Sequence, residues 1–129
     1  MKALIDTNAY SALMSGEKRI RTILETAEEV FVPSIVLGEL CSGFQMGNYT
    51  DRNIHELELF LSKPGIQCLD ITKQIAERYG ILVNLLKGQG TPIPTNDIWI
   101  SASVLETGAK LLTRDRHFET VPGILVVPF

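Results

Sequence analysis

The sequence predicts an α/β domain built on a short-stranded parallel sheet with helices on both faces. Brief apolar runs alternate with longer segments whose apolar residues recur at helical spacing, the pattern of parallel strands joined by helical crossovers. The chain has 129 residues, enough for one hydrophobic core and too few for two, so residues 1–129 are read as a single domain. Two of the apolar runs end abruptly in acidic residues, Ala3 to Ile5 in Asp6 and Ala109 to Thr113 in Asp115. Buried strands end this way at the rim of a sheet.

Taken in order, Ala3, Leu4 and Ile5 form the first strand, with nothing polar before Asp6. Asp6, Thr7 and Asn8 all suit a helix N-cap, and for one carboxylate alone that explanation is the simpler. A short helix, Ala9 to Met14, stops at Ser15-Gly16. Ile20, Ile23, Leu24 and Ala27 then mark one face of an amphipathic helix of about three turns. Val30 to Val32 is the second strand, closed by Pro33. Ser34 is placed to cap the following helix, whose apolar side is Val36, Leu37, Leu40 and Phe44. Glu39 rides on that helix at the border of its apolar face. A solvated helix glutamate would be the ordinary reading of such a residue.

Thr50 is placed to cap a helix carrying Ile54, Leu57, Phe60 and Leu61, which Pro64-Gly65 ends. Ile66 to Leu69 is a brief strand. Thr72 opens the best-patterned helix of the chain, with Ile75, Ala76, Tyr79, Leu82, Val83 and Leu86 on one face. Gly88 to Pro94 has the composition of a loop. Thr95 caps a helix containing Asp97 that closes at Gly108. A carboxylate in that first turn is favoured by the helix dipole whatever else it does. Ala109 to Thr113 and Ile124 to Val127 complete the strands.

Composition narrows the function classes. A net charge of -3 excludes a protein that holds nucleic acid by bulk positive charge, so any basic surface must be local. Arg114, Arg116 and His117, flanking Asp115, are candidate RNA contacts of that kind. Cys41 and Cys68 lack the spacing of a zinc site, and no companion histidines complete one. A hydrophobic fraction of 45% leaves room for an apolar patch covered by a partner. Asp6 interrupts the N-terminal apolar run too early for a signal peptide, and no stretch reaches membrane-spanning length, so a cytoplasmic protein with no membrane partner is expected.

Parallel order puts the ends of the Asp6 and Asp115 strands on one rim. The helix that begins near Asp97 feeds the second of these strands, so its own first turn lies toward the same rim. Ligands bind at this rim in open α/β sheets. Four carboxylates, Asp6, Glu39, Asp97 and Asp115, are therefore candidates for one site. Two unit charges ~5 Å apart repel by roughly 3 kcal/mol at an effective dielectric of about 20, so such a cluster needs compensation. A divalent cation supplies it at neutral pH, and an all-oxygen donor set suits Mg²⁺ or Mn²⁺.

LIDTN with Asp6, VLGEL with Glu39, TNDIWISA with Asp97 and TRDRHF with Asp115 resemble, in that order, the motifs of PIN domains. Chain length and motif order resemble the VapC-type toxin endoribonucleases, over the span from Asp6 to Phe118. The resemblance implies a PIN-like nuclease domain in which the strands ending at Asp6 and Asp115 are neighbours. It also implies Mg²⁺ or Mn²⁺ at the acidic cluster, RNA as substrate, a small antitoxin as partner and a homodimer. Thr113 matches the family's hydroxyl position. The expected roles are Asp6 and Asp97 as ligands of the metal, Asp115 as ligand of a second metal or as the group that positions ligands and water, Glu39 as the group that orients or deprotonates the attacking water, and Thr113 as a hydrogen-bond donor to a carboxylate or a bound water.

Three rival readings fit the sequence less well. A haloacid-dehalogenase-like phosphatase wants a second Asp two residues after the first, where this chain has Asn8. A receiver domain needs a paired acidic residue ahead of the first strand's end and a late strand-end Lys, neither of which the chain has. A catalytically silent PIN scaffold that only binds a partner would have no reason to retain all four carboxylates.

Overall fold

The computed structural model describes residues 1–129. Five strands form one sheet: β1 (Lys2–Ile5), β2 (Glu29–Pro33), β3 (Ile66–Leu69), β4 (Lys110–Leu112) and β5 (Val126–Val127). Six helices join them: α1 (Thr7–Met14), α2 (Lys18–Glu25), α3 (Ser34–Met46), α4 (Thr50–Leu61), α5 (Lys73–Gln89) and α6 (Thr95–Thr107). A short 3₁₀ turn over Arg116–Thr120, absent from the sequence reading, follows β4.

All four strand pairings are parallel, in the order β3-β2-β1-β4-β5. Chain progression runs one way from β1 to β3, then jumps back over β2 and β1 to β4. Right-handed crossovers therefore place α1 to α4 on one face and α5 and α6 on the other. The order reverses between β1 and β4, and the crevice beyond their carboxyl ends is the position where such sheets bind ligands.

The core explains why β1 is central. Ala3, Leu4 and Ile5 are each fully buried, and so are Leu111 and Leu112 beside them. Burying a Leu or Ile side chain stabilises by about 1.5–3 kcal/mol, so this strand pair is among the firmest parts of the molecule. A second cluster, Ile75, Leu82, Leu86, Ile98, Ala102 and Val121, is built from the facing sides of α5 and α6 and the segment after the 3₁₀ turn. Two glycines are demanded by the backbone. Gly108 ends α6 in the left-handed region at φ 70°. Gly65 turns into β3 at φ 81°, where a Cβ would stand 3.2 Å from the Glu28 carbonyl oxygen.

Several local expectations shift. Ser34, Thr50 and Thr95 are the first helical residues and not the caps; Pro33, Tyr49 and Pro94 hold the cap positions with no side-chain hydrogen bond. Two of the hydroxyls are used across elements. Ser34 donates to the Leu69 carbonyl at 3.3 Å, and Thr50 donates to the Phe44 carbonyl at 2.9 Å, tying α4 to the end of α3. Thr72 does cap α5, accepting from the Ile75 N–H at 3.2 Å. That helix continues through Gly88 and Gln89 to a left-handed Gly90, so the predicted loop is shorter than its composition suggests. Ala27 falls beyond α2, which has 8 residues and not three turns. The last strand is confined to Val126 and Val127, which pair with Leu111 and Leu112. Cys41 and Cys68 are both free and exposed, Cys68 on the edge strand β3.

Candidate active site

The register of β1 against β4 pairs Ile5 with Leu112, so the next residues out, Asp6 and Thr113, emerge side by side at the rim. Both are buried, Asp6 at 5% exposure and Thr113 at 1%. Their polar atoms bond to each other and to the local backbone. Asp6 Oδ1 accepts from the Ala9 N–H at 2.8 Å, which makes Asp6 the N-cap of α1, and Oδ2 accepts from the Thr113 hydroxyl. The Thr113 oxygen in turn accepts from the Asp115 N–H at 2.9 Å. Asp6 is thus a cap and a rim carboxylate at once.

Glu39 and Asp97 reach the same place from opposite faces of the sheet. Glu39 lies early in α3, half-buried, and its Oε1 accepts from the Thr7 hydroxyl at 2.8 Å. Asp97 sits in the first turn of α6, its side chain only 15% exposed. Asp6, Glu39, Asp97 and Asp115 together line one cleft of about 160 Å³, with Thr7, Asn8 and Ile100 completing the wall. No Lys or Arg lines it. Three larger grooves, of about 470, 350 and 310 Å³, are lined in part by α1, and each holds a single acidic residue.

The electrostatics reflect this crowding. Burial pushes the Asp6 carboxyl above its ordinary 3.8, against the lowering pull of the Thr113 hydroxyl and Ala9 N–H, while the charges of Asp115 and Asp97 push it further up. Asp97 is raised for the same first reason, burial, with the His117 contact lowering it and Asp115 and Glu39 raising it. Both carboxyls are therefore harder to ionise than free ones, a cost that a cation beside them would offset.

The three basic residues after β4 go to different places. His117 turns into the cluster: its Nδ1 is 3.1 Å from Asp97 Oδ2 and 3.2 Å from Asp115 Oδ1. Arg114 faces away from the cleft, paired with Glu17 and lying 4.4 Å over the Phe129 ring. Arg116 is exposed and pairs with Glu119 at 3.5 Å. His55 is exposed on α4. Sequence reasoning missed the Thr7 to Glu39 hydrogen bond, which joins residues 32 positions apart and has no local signal. It also gave His117 no part in the carboxylate cluster, although a histidine two residues after a turn-forming Asp was a usable clue.

The donor set fits a hard divalent cation. One carboxylate oxygen each from Asp97 and Asp115 and a ring nitrogen of His117 lie within 4.8 Å of one another, and Asp6 and Glu39 line the same cleft. With oxygen donors in excess and no Lys or Arg in the cleft, the arrangement is one a divalent cation would complete.

Comparison with known proteins identifies the family. The family model described as PIN domain matches residues 3–124. The chain belongs to the PIN-domain family. Within it the chain is 31% identical over 128 residues to Ribonuclease VapC1 of Haemophilus influenzae strain R2866, covering 94% of this chain and 92% of that protein. The structure of VapBC-1 from nontypeable Haemophilus influenzae superposes with a TM-score of 0.88 at 27% identity, over 99% of this chain and 98% of the other. A toxin-antitoxin complex from Klebsiella pneumoniae superposes with a TM-score of 0.73 at 25% identity, over 96% of each chain. This PIN domain is of the VapC type, and its parallel α/β architecture is the one its sequence predicted.

Proposed function

We propose that this PIN domain is the endoribonuclease toxin of a toxin-antitoxin pair and hydrolyses RNA phosphodiester bonds with Mg²⁺ or Mn²⁺. The observation that carries the reading is the gathering of four carboxylates in one cleft at the sheet's switch point, with no Lys or Arg among them. The names of its relatives, a ribonuclease and a chain of a toxin-antitoxin complex, support the substrate class and the small protein partner.

Asp97 and Asp115 would hold the metal, with Asp6, which lines the same cleft, as a further ligand. When bound, the cation supplies charge neutralisation at the scissile phosphate and lowers the pKa of water. The remaining work falls to the chain itself. Thr113 fixes the Asp6 carboxylate by donating to it and fixes the Asp115 backbone by accepting from it, so one buried hydroxyl ties the two strand ends. Thr7 holds Glu39 by one oxygen, leaving the other free to orient or deprotonate the attacking water. In-line attack by water would leave a 5′-phosphate and a 3′-hydroxyl.

A labelled single-stranded RNA incubated with the purified protein tests this. Cleavage in Mg²⁺ or Mn²⁺, absent in excess EDTA and absent in Asp97→Asn, is expected. Undiminished cleavage in EDTA would refute the metal mechanism. Cleavage of no RNA by the wild type in either metal, from a protein shown to be folded, would favour a scaffold that only binds a partner.

A further inference from the structure

We propose that His117 is a metal ligand in this chain, and that its nitrogen biases the site toward a first-row transition ion such as Mn²⁺ and away from Mg²⁺. This rests on the reading of the acidic cleft as a divalent-metal site and adds to it the identity of the third donor.

The compact donor set is not made of the carboxylates alone. Asp97 Oδ2, Asp115 Oδ1 and His117 Nδ1 converge, the ring nitrogen standing 3.1 and 3.2 Å from the two oxygens. Asp6 is outside that tight group, and each of its oxygens already accepts a hydrogen bond, from Ala9 and from Thr113. Where a third carboxylate would complete an all-oxygen set, this chain presents an imidazole.

The local backbone explains why the ring is there. Asp115 caps the 3₁₀ turn, its Oδ1 accepting the His117 N–H at 2.9 Å. That bond folds the chain so that the side chain two residues on returns to the carboxylate that caps it. The turn is anchored further by Phe118, which is 1% exposed and packs into the main core. His117 is therefore held beside the cluster by the core and by a cap, while its own side chain remains 53% exposed and reachable by an ion from solvent.

Two oxygens and one nitrogen make a different site from three oxygens. Mg²⁺ prefers oxygen donors and keeps its waters, whereas first-row transition ions take imidazole nitrogen more readily; Mn²⁺ is the most oxygen-seeking of them, yet gains more from a nitrogen donor than Mg²⁺ does. Two aspartates and one neutral imidazole also balance a divalent charge. In that state Nδ1 is the unprotonated nitrogen and Nε2 carries the proton.

Mn²⁺ is its own reporter. Electron spin echo envelope modulation on the Mn²⁺-loaded protein should show coupling to ¹⁴N in the wild type. The coupling should vanish in His117→Asp and persist in His55→Asn, the chain having only two histidines. Calorimetry should find Mn²⁺ affinity weakened on the order of tenfold in His117→Asn while Mg²⁺ affinity changes far less, and a Mg²⁺ preference restored in His117→Asp. Bound Mn²⁺ in the wild type without ¹⁴N coupling would overturn the proposal and leave the metal mechanism standing; the ring would then only hydrogen-bond the two carboxylates. Failure of the wild type to bind Mn²⁺ at all would overturn both.

Discussion

Thr113→Val is the sharpest probe of the rim, because it removes one oxygen atom and leaves the side chain's shape. In the folded protein that oxygen donates to Asp6 Oδ2 and accepts from the Asp115 N–H, and the residue is 1% exposed, so water has little room to replace it. A hydrogen bond to a charged partner contributes roughly 1.5–3 kcal/mol, and a backbone N–H left without a partner costs about 1–3 kcal/mol more, less where the cleft lets water in. A loss of about 2–4 kcal/mol is expected for the metal-free protein at neutral pH. Unfolding entropy of roughly 2.1 cal/mol/K per residue converts this into a drop in Tm of about 7–15 °C for a chain of this length. Thermal melts followed by circular dichroism in EDTA measure it. The Thr113 hydroxyl favours the ionised form of Asp6, so its contribution is present above the Asp6 pKa and fades as pH falls and the carboxyl protonates. The deficit should therefore shrink in acid, and Thr113→Ser should recover most of it. A Tm within 2 °C of wild type, or a deficit of equal size at every pH, would refute the reasoning and make Thr113 a packing residue.

Asp6→Asn should abolish cleavage while leaving metal-free stability within about 1 kcal/mol of wild type, since Asn caps α1 as well as Asp does and the relieved charge repulsion offsets a poorer partner for Thr113; unfolding of the variant would make Asp6 a structural cap only. Metal-free stability should fall as pH rises from the ordinary carboxyl value of 3.8 through the raised values of Asp6 and Asp97, because the folded state then binds more protons than the unfolded one. Denaturant titrations from pH 4 upward check this, and a stability that rises over that window would contradict it. Added Mn²⁺ should reverse the trend and raise Tm with concentration, by linkage, and no shift at saturating ion would count against a metal site. Arg114→Ala should cost at most about 1 kcal/mol and leave metal affinity unchanged, since its half-exposed ion pair with Glu17 and its stacking on Phe129 lie outside the cleft.

What was legible in the sequence follows from how each feature is encoded. Strands β1 and β4 announce themselves because both are buried on two faces and break straight into polar residues, so Asp6, Thr113 and Asp115 could be placed at a rim without knowing any contact. Asp97 followed from chain direction alone. Glu39 was harder: its place in the cleft depends on α3 lying across the same rim, and its partner Thr7 is distant in sequence. The helix starts were misplaced by one residue at Ser34, Thr50 and Thr95, since a hydroxyl near a helix start reads as a cap whether its bond goes to its own helix or, as with Ser34, to a neighbouring strand end. The three basic residues after β4 looked equivalent in the sequence. Only the turn made by Asp115 separates His117, which returns to the carboxylates, from Arg114 and Arg116, which leave them.

The geometry of the site is set less by its own residues than by the pairing of Ile5 with Leu112. Parallel strands alternate their side chains with a period of two, so a slip of one residue between β1 and β4 would turn Asp6 or Thr113 to the opposite face and break the bond between them. The register is specified by burial: Leu4 and Ile5 against Leu111 and Leu112, all without solvent contact, make such a slip cost the core several kcal/mol. The fold can therefore hold buried, mutually repelling carboxylates in place without a cation, because the energy that fixes them comes from apolar neighbours one residue further in. A cation entering this cleft would find the carboxylates already oriented, and its binding energy would go into neutralising charge and not into ordering the chain.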